Sequence, residues 1–155
     1  MQIKWKPLAC SITIPLAFGL LVGWLTKDSM DIYEQLNKPA MALPGYAFSA
    51  VWLILFVLMG ISSYIIYVST SPEREKAMRL YEINLLLLFI WPITFFLFQS
   101  YFLAFVIAII IWGVAFTMVS MFTQISRFAG WILLPYFIWV TYAAYLNLQI
   151  LMLNK

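Results

Sequence analysis

The residues of this chain best suited to chemistry lie in one stretch, LLPYFIWVTYAAYLN at 133–147. Tyr136, Trp139, Ala143 and Asn147 fall within an arc of about 80° if this stretch is helical. Such a stripe offers an indole face for stacking, a phenol and a carboxamide for hydrogen bonds, and room for a ligand beside the small Ala143. The rest of the chain excludes most other chemistry. It has no histidine and a single cysteine, Cys10. That removes histidine acid–base catalysis, a Ser-His-Asp triad, a zinc cluster and the usual proximal haem ligand; no metal site is expected. The carboxylates Asp28, Asp31, Glu34, Glu73, Glu75 and Glu82 all stand in connections or at the ends of apolar runs. Coupled carriers usually hold an ionisable group within the membrane, so ion-coupled transport is disfavoured, whereas facilitated passage of an apolar molecule is not.

The elements that position this stripe follow from composition. Of the 155 residues 65% are hydrophobic and 10% charged, the balance of a chain solvated by lipid rather than water. A span needs about 20 predominantly apolar residues, and five such runs occur, at roughly 7–26, 45–69, 80–98, 101–123 and 129–152. The expected fold is therefore all-α, a five-transmembrane-helix bundle that forms a single domain over 1–155. The first run holds Pro15, Gly19 and Gly23 and is followed by no small-residue cleavage site, so it reads as a span and not as a signal peptide.

Lys and Arg set the expected orientation. Lys4, Lys6, Arg74, Lys76, Arg79 and Arg127 lie on one side, and Lys27, Lys38 and Lys155 on the other. The positive-inside rule then places the N-terminus in the cytoplasm and the C-terminus outside; the expected location is a cell (inner or plasma) membrane, bacterial in type. No basic run is long enough to argue for nucleic acid. A cysteine at Asp31, in a Cys10→Ala background, should react with an impermeant maleimide on intact cells while one at Glu75 stays protected; the opposite labelling would invert this topology.

The connections differ in character. STSPEREKAMR at 69–79 reads as an ordinary charged hairpin loop, and the very short turn at 98–102 makes its two helices antiparallel neighbours. The 27–46 connection is long, aromatic and proline-containing, the kind of loop that covers a site. Gly19 and Gly23 form a G-x-x-x-G element, suited to close packing within the bundle or to a dimer seam.

Other helices carry stripes matching that of the fifth. The second shows Phe48, Trp52, Phe56, Met59 and Ser63; the third, Asn84, Leu88, Trp91 and Phe95; the fourth, Phe105, Trp112, Phe116 and Val119. All four are expected to face inward, because lipid offers buried amides and hydroxyls no partner. Trp5, Trp24 and Trp131 sit near span ends, where an interfacial belt accounts for them. Trp52, Trp91, Trp112 and Trp139 lie roughly 10–20 Å deep by the helical rise and read either as core filling or as the walls of an aromatic pocket.

Three blocks in order now resemble the translocator protein family, also called the peripheral benzodiazepine receptor or tryptophan-rich sensory protein. In YEQLNKPAMALPGYAFSAVWLILFVLMG the matching positions are Tyr33, Leu36, Lys38-Pro39, Pro44, Phe48, Trp52 and Gly60. WPITFF matches at Trp91, Pro92 and Phe95-Phe96, and the opening stretch at Pro135-Tyr136, Trp139, Ala143 and Leu146-Asn147. Met41, Leu43 and Leu88 depart from the family pattern, where tryptophan, proline and asparagine are frequent. The resemblance implies a five-helix bundle, often a homodimer, that binds porphyrins and benzodiazepine- or isoquinoline-type ligands beneath the first loop.

Stripes and resemblance together give the expected site: Tyr33, Lys38, Pro44, Phe48, Trp52, Phe56, Asn84, Leu88, Trp91, Trp112, Tyr136, Trp139, Ala143, Leu146 and Asn147. The leading expectation is a membrane receptor or sensor for protoporphyrin IX, needing no cofactor, with ring stacking and propionate contacts through Lys38 or loop amides. A second is light- and oxygen-dependent degradation of that porphyrin, with Trp52 and Trp139 as redox partners. A third is a facilitator of porphyrin or lipid transport.

Overall fold

The computed structural model describes residues 3–155. The order of elements is α1 (Trp5–Thr26), a 3-10 turn (Lys27–Ser29), α2 (Met30–Gln35), α3 (Gly45–Tyr67), α4 (Arg74–Pro92), a π-helical turn (Ile93–Leu97), α5 (Tyr101–Ile125) and α6 (Arg127–Leu153). Five helices are long and apolar enough to cross a membrane, and no strand occurs among the described residues. An all-α fold is what lipid requires, since only a helix satisfies its own backbone groups within one segment.

Boundaries shift where polar residues extend a helix beyond the hydrocarbon. α4 begins at Arg74 rather than near residue 80, because Glu73, Arg74 and Lys76 face water while Ala77 packs inward. The 27–46 connection is not all loop. Its α2 turns are closed at the end by Lys38, whose ammonium donates to the carbonyl oxygens of Tyr33 and, at 3.1 Å, Glu34. A cation is favourable at such a helix C-terminus, where carbonyls lack partners.

The five long helices close into a ring in the order α1, α3, α6, α5, α4 and back to α1. Two glycines set its tightest crossings. A Cβ on Gly60 would come within 2.6 Å of both Ile12 Cα and Ser11 O, so only glycine lets the α1 and α3 backbones meet there. At the α5–α6 hairpin, a Cβ on Gly130 would lie 2.9 Å from Thr123 Cα. Ser126 separates these two helices with extended backbone, and its hydroxyl accepts from the Ala129 amide as the N-cap of α6. Small residues at close helix contacts are the usual way membrane helices gain dispersion energy.

The core face of α5 follows the same logic and corrects one expectation. Ala104, Ala108 and Ala115 point inward with Ile107, Ile111, Met118 and Phe122. Trp112 and Phe116 turn outward, 39% and 56% exposed. The Trp112 indole donates to Thr141 Oγ1 at 3.0 Å and stacks on Phe116, so this aromatic stripe lies on the outer face of the α5–α6 pair. Alanines win the interior because they permit the closer approach. In the stripes of α3, α4 and α6, Phe48, Phe56, Met59, Ser63, Asn84, Leu88, Trp91, Phe95, Tyr136 and Asn147 are buried as expected, whereas Trp52, Trp139 and Ala143 are half-buried.

Candidate functional site

Pro92 ends α4 and leads into the π-helical turn, whose Phe98 amide reaches back five residues to Ile93 O at 3.1 Å. This turn packs Thr94, Phe95 and Phe96 into the interior in succession, an arrangement regular α geometry would not give. Gln99, at φ 51°, then reverses the chain into α5.

Aromatic side chains from α3, α4 and α6 meet at this level. Trp52 stacks on Phe56 at 5.5 Å between centroids and meets Trp139 edge-on at 6.4 Å. Tyr136 lies 6.4 Å from Trp52 on another side. Phe48 packs 5.5 Å from Trp139 and 6.4 Å from Tyr33 of the loop. Trp91 stacks on Phe95 at 5.3 Å.

Two pairs of polar groups among them meet through the amides. Asn84 Oδ1 accepts from the Tyr136 hydroxyl at 2.8 Å, and Asn147 Oδ1 from the Trp91 indole at 3.2 Å. The Asn147 amide donates in turn to Ala143 O at 2.8 Å. Asn84 Nδ2, Tyr81 OH and the Trp139 indole nitrogen are buried without a hydrogen-bond partner among the described residues.

The loop closes one end of this cluster. Tyr33 is buried and donates to Leu43 O at 3.1 Å. Tyr142 donates to Met41 O at 2.7 Å, and Asn37 exchanges two hydrogen bonds with the Asn154 side chain. The loop and the C-terminal end of α6 are thereby pinned together. Pro44 is exposed at the start of α3.

Beside this cluster lies a cavity of about 480 Å³ bounded by α1, α3 and α4. From α3 it is lined by Phe48, Ser49, Trp52, Leu53 and Phe56, and from α4 and the π-turn by Leu85, Leu88, Phe89, Trp91, Pro92 and Phe96. The third wall is α1 with the turn after it: Phe18, Gly19, Leu20, Val22, Gly23, Trp24, Thr26, Lys27 and, from α2, Met30. Five expected site residues therefore border it: Phe48, Trp52, Phe56, Leu88 and Trp91. Its volume lies within the usual range of about 300–1,000 Å³ for small-molecule pockets.

The α6 stripe is placed differently. Ala143, Leu146 and Asn147 border only a gap of about 10 Å³, together with Tyr33, Phe48, Trp91 and Phe96. Phe48, Trp91 and Phe96 therefore stand between the cavity and the amide-bearing wall. The room expected beside Ala143 is taken by these rings, and the open space lies against Gly19 and Gly23 instead. Neither space is lined by Lys38, Pro44, Asn84, Trp112, Tyr136 or Trp139. Tyr136 and Trp139 each contact Trp52, at 6.4 Å between ring centroids, without bordering the larger cavity themselves.

The α1 wall was missed by stripe reasoning because glycine, leucine and valine carry no polar-aromatic signature. A signal was present in the G-x-x-x-G element, whose Gly19 packs on the Phe56 ring while a Cβ on Gly23 would meet nothing within 4 Å. Both glycines border the cavity.

Comparison with known proteins agrees with this architecture. Residues 11–153 match the TspO/MBR family. The chain is 34% identical over 151 residues to the tryptophan-rich protein TspO of Chlorobaculum tepidum, covering 95% of each. It is 31% identical over 157 residues to the tryptophan-rich sensory protein of Cereibacter sphaeroides, covering 99% of this chain and 95% of the relative. The human translocator protein is 29% identical over 152 residues, covering 95% of this chain and 89% of the relative. A match across almost the full length of a five-helix bundle leaves one assignment: this integral membrane protein belongs to the TspO/MBR family.

Proposed function

We propose that the protein is a membrane receptor for flat, apolar ligands of the tetrapyrrole class, protoporphyrin IX foremost, and that benzodiazepine- or isoquinoline-type compounds occupy the same site. The observation that carries this reading is the cavity of about 480 Å³ between α1, α3 and α4, with Phe48, Trp52, Phe56, Trp91 and Phe96 among its walls. Ring faces of this kind stack on a macrocycle, and each aromatic contact contributes about 0.5–1.5 kcal/mol beyond area burial. The chain has no histidine to ligate iron, so metal-free protoporphyrin IX should bind at least as tightly as haem when followed by tryptophan-fluorescence quenching. A strong preference for haem, with the spectrum of a defined axial ligand, would refute this mode of binding.

A second reading is favoured by one arrangement. Trp52 borders the cavity and meets Trp139 and Tyr136 within 6.4 Å. These three oxidisable rings form a path leading away from a bound ligand. In that reading illuminated porphyrin is oxidised by dioxygen and the indoles relay a radical. Replacing Trp52 or Trp139 with phenylalanine preserves most of the ring face but not its ease of oxidation. Dark affinity should stay within roughly tenfold, about 1.4 kcal/mol, while light-dependent loss of the porphyrin absorption band disappears. Bleaching equal to that of free porphyrin in every variant would remove the enzymatic reading and leave the receptor.

A further inference from the structure

The cavity is apolar along its length except at the end where α1 meets the loop. Three polar side chains border it: Thr26, Lys27 and Ser49. Both hydroxyls have committed their protons, Thr26 to Val22 O at 2.8 Å and Ser49 to Gly45 O at 3.0 Å. What they still offer is acceptor lone pairs, which repel an anion. Lys27 is different. Its ammonium lies 5.8 Å from the Trp24 ring centroid. The ion pair found among the described residues is Lys76 with Glu73, elsewhere in the molecule. Lys38, the other cation of the loop, is spent on the carbonyls that end α2.

Spacing gives the cation a defined place relative to the open volume. Gly19, Gly23 and Lys27 follow one another at intervals of four along one face of α1 and its continuation. Lys27 therefore stands about 12 Å along the axis from Gly19. A molecule whose body fills the space against Gly19, Gly23 and Trp52 brings its far end to the ammonium.

We infer that the cavity takes an amphipathic anion, with its flat apolar body between Gly23 and Trp52 and its carboxylate on Lys27. This rests on the reading above that the cavity is the ligand site. Two kinds of anion share the chemistry, a carboxylate ligand within the cavity and the phosphate of a lipid headgroup at its rim, and the inference commits to the first.

The test compares acids with their esters. Wild-type protein and the variants Lys27→Met, Lys27→Arg and Lys38→Met are reconstituted in phosphatidylcholine nanodiscs. Each is titrated with protoporphyrin IX and its dimethyl ester, and with pyrenebutyrate and its methyl ester. Partitioning of each probe into lipid is common to all variants, so it cancels when their acid-to-ester ratios are compared. Wild type, Lys27→Arg and Lys38→Met should bind each acid about tenfold more tightly than its ester. Lys27→Met should lower acid affinity to that of the ester without moving the ester. An acid-to-ester ratio unchanged in Lys27→Met overturns the inference, and a lysine that pairs only with lipid phosphate gives that result. If neither porphyrin binds but the pyrene acid keeps a Lys27-dependent preference, the tetrapyrrole reading falls and the anion site stands. If neither pair binds, both fall.

Discussion

Gly23→Leu should lower porphyrin affinity at least tenfold while leaving the fold as stable as wild type or slightly more so. A Cβ at this position meets nothing within 4 Å, and the space it enters is the cavity itself. The isobutyl group would occupy volume that a ligand needs against α1. Leucine also favours a helix over glycine, by somewhat less than the roughly 0.8–1 kcal/mol that separates alanine from glycine, so folding has no reason to suffer. Ala143→Leu is the informative comparison. On sequence alone it should affect ligand more than fold, but its side chain borders a gap of only about 10 Å³. Overpacking there should cost about 1–3 kcal/mol of stability. Titration with metal-free protoporphyrin IX, together with thermal unfolding in the same detergent, separates the two effects. Undiminished affinity in folded Gly23→Leu protein would show that ligand binds elsewhere, and loss of affinity in folded Ala143→Leu would move the site to the α6 wall.

Gly60→Val should be the most destabilising single substitution considered, costing about 3 kcal/mol or more, at or above the top of the usual range for overpacking. The reason is what the new Cβ meets. Ile12 Cα and Ser11 O, each 2.6 Å away, belong to the backbone of α1 and have no rotamer to yield. Relief requires α1 to move off α3 as a unit, which opens the cavity between them. Ligand affinity should therefore fall together with the unfolding temperature, unlike the separation expected at Gly23. Gly113→Val is the control, since Gly113 on α5 has nothing within 4 Å of its Cβ; it should unfold as wild type does. Equal stability of the two variants would mean that the α1–α3 crossing does not depend on Gly60.

Much of this molecule is legible in its sequence. Lipid provides backbone groups no partners, so every crossing must be one continuous apolar helix, and five such runs could be counted directly. The inward faces of α3, α4 and α6 were equally plain. Asn84, Asn147, Ser63 and Tyr136 each carry a group that lipid would leave unsatisfied, so the sign of the face is written in its polarity. The stripe of α5 shows where that reasoning stops. Both of its faces are apolar, one of alanine and isoleucine, the other of Trp112 and Phe116, and in hydrocarbon their hydrophobicity does not distinguish inside from outside. Size decided it, through the closeness of the α5–α6 contact. The cavity was decided in the same way. Its α1 wall consists of the absence of side chains at Gly19 and Gly23, and an absence becomes volume only when another helix stands opposite. Which helix stands there depends on Gly60 lying against Ile12, a contact between residues 48 apart in the chain. Composition and periodicity determine what each helix must hide; only the packing of one backbone on another decides where the remaining space lies.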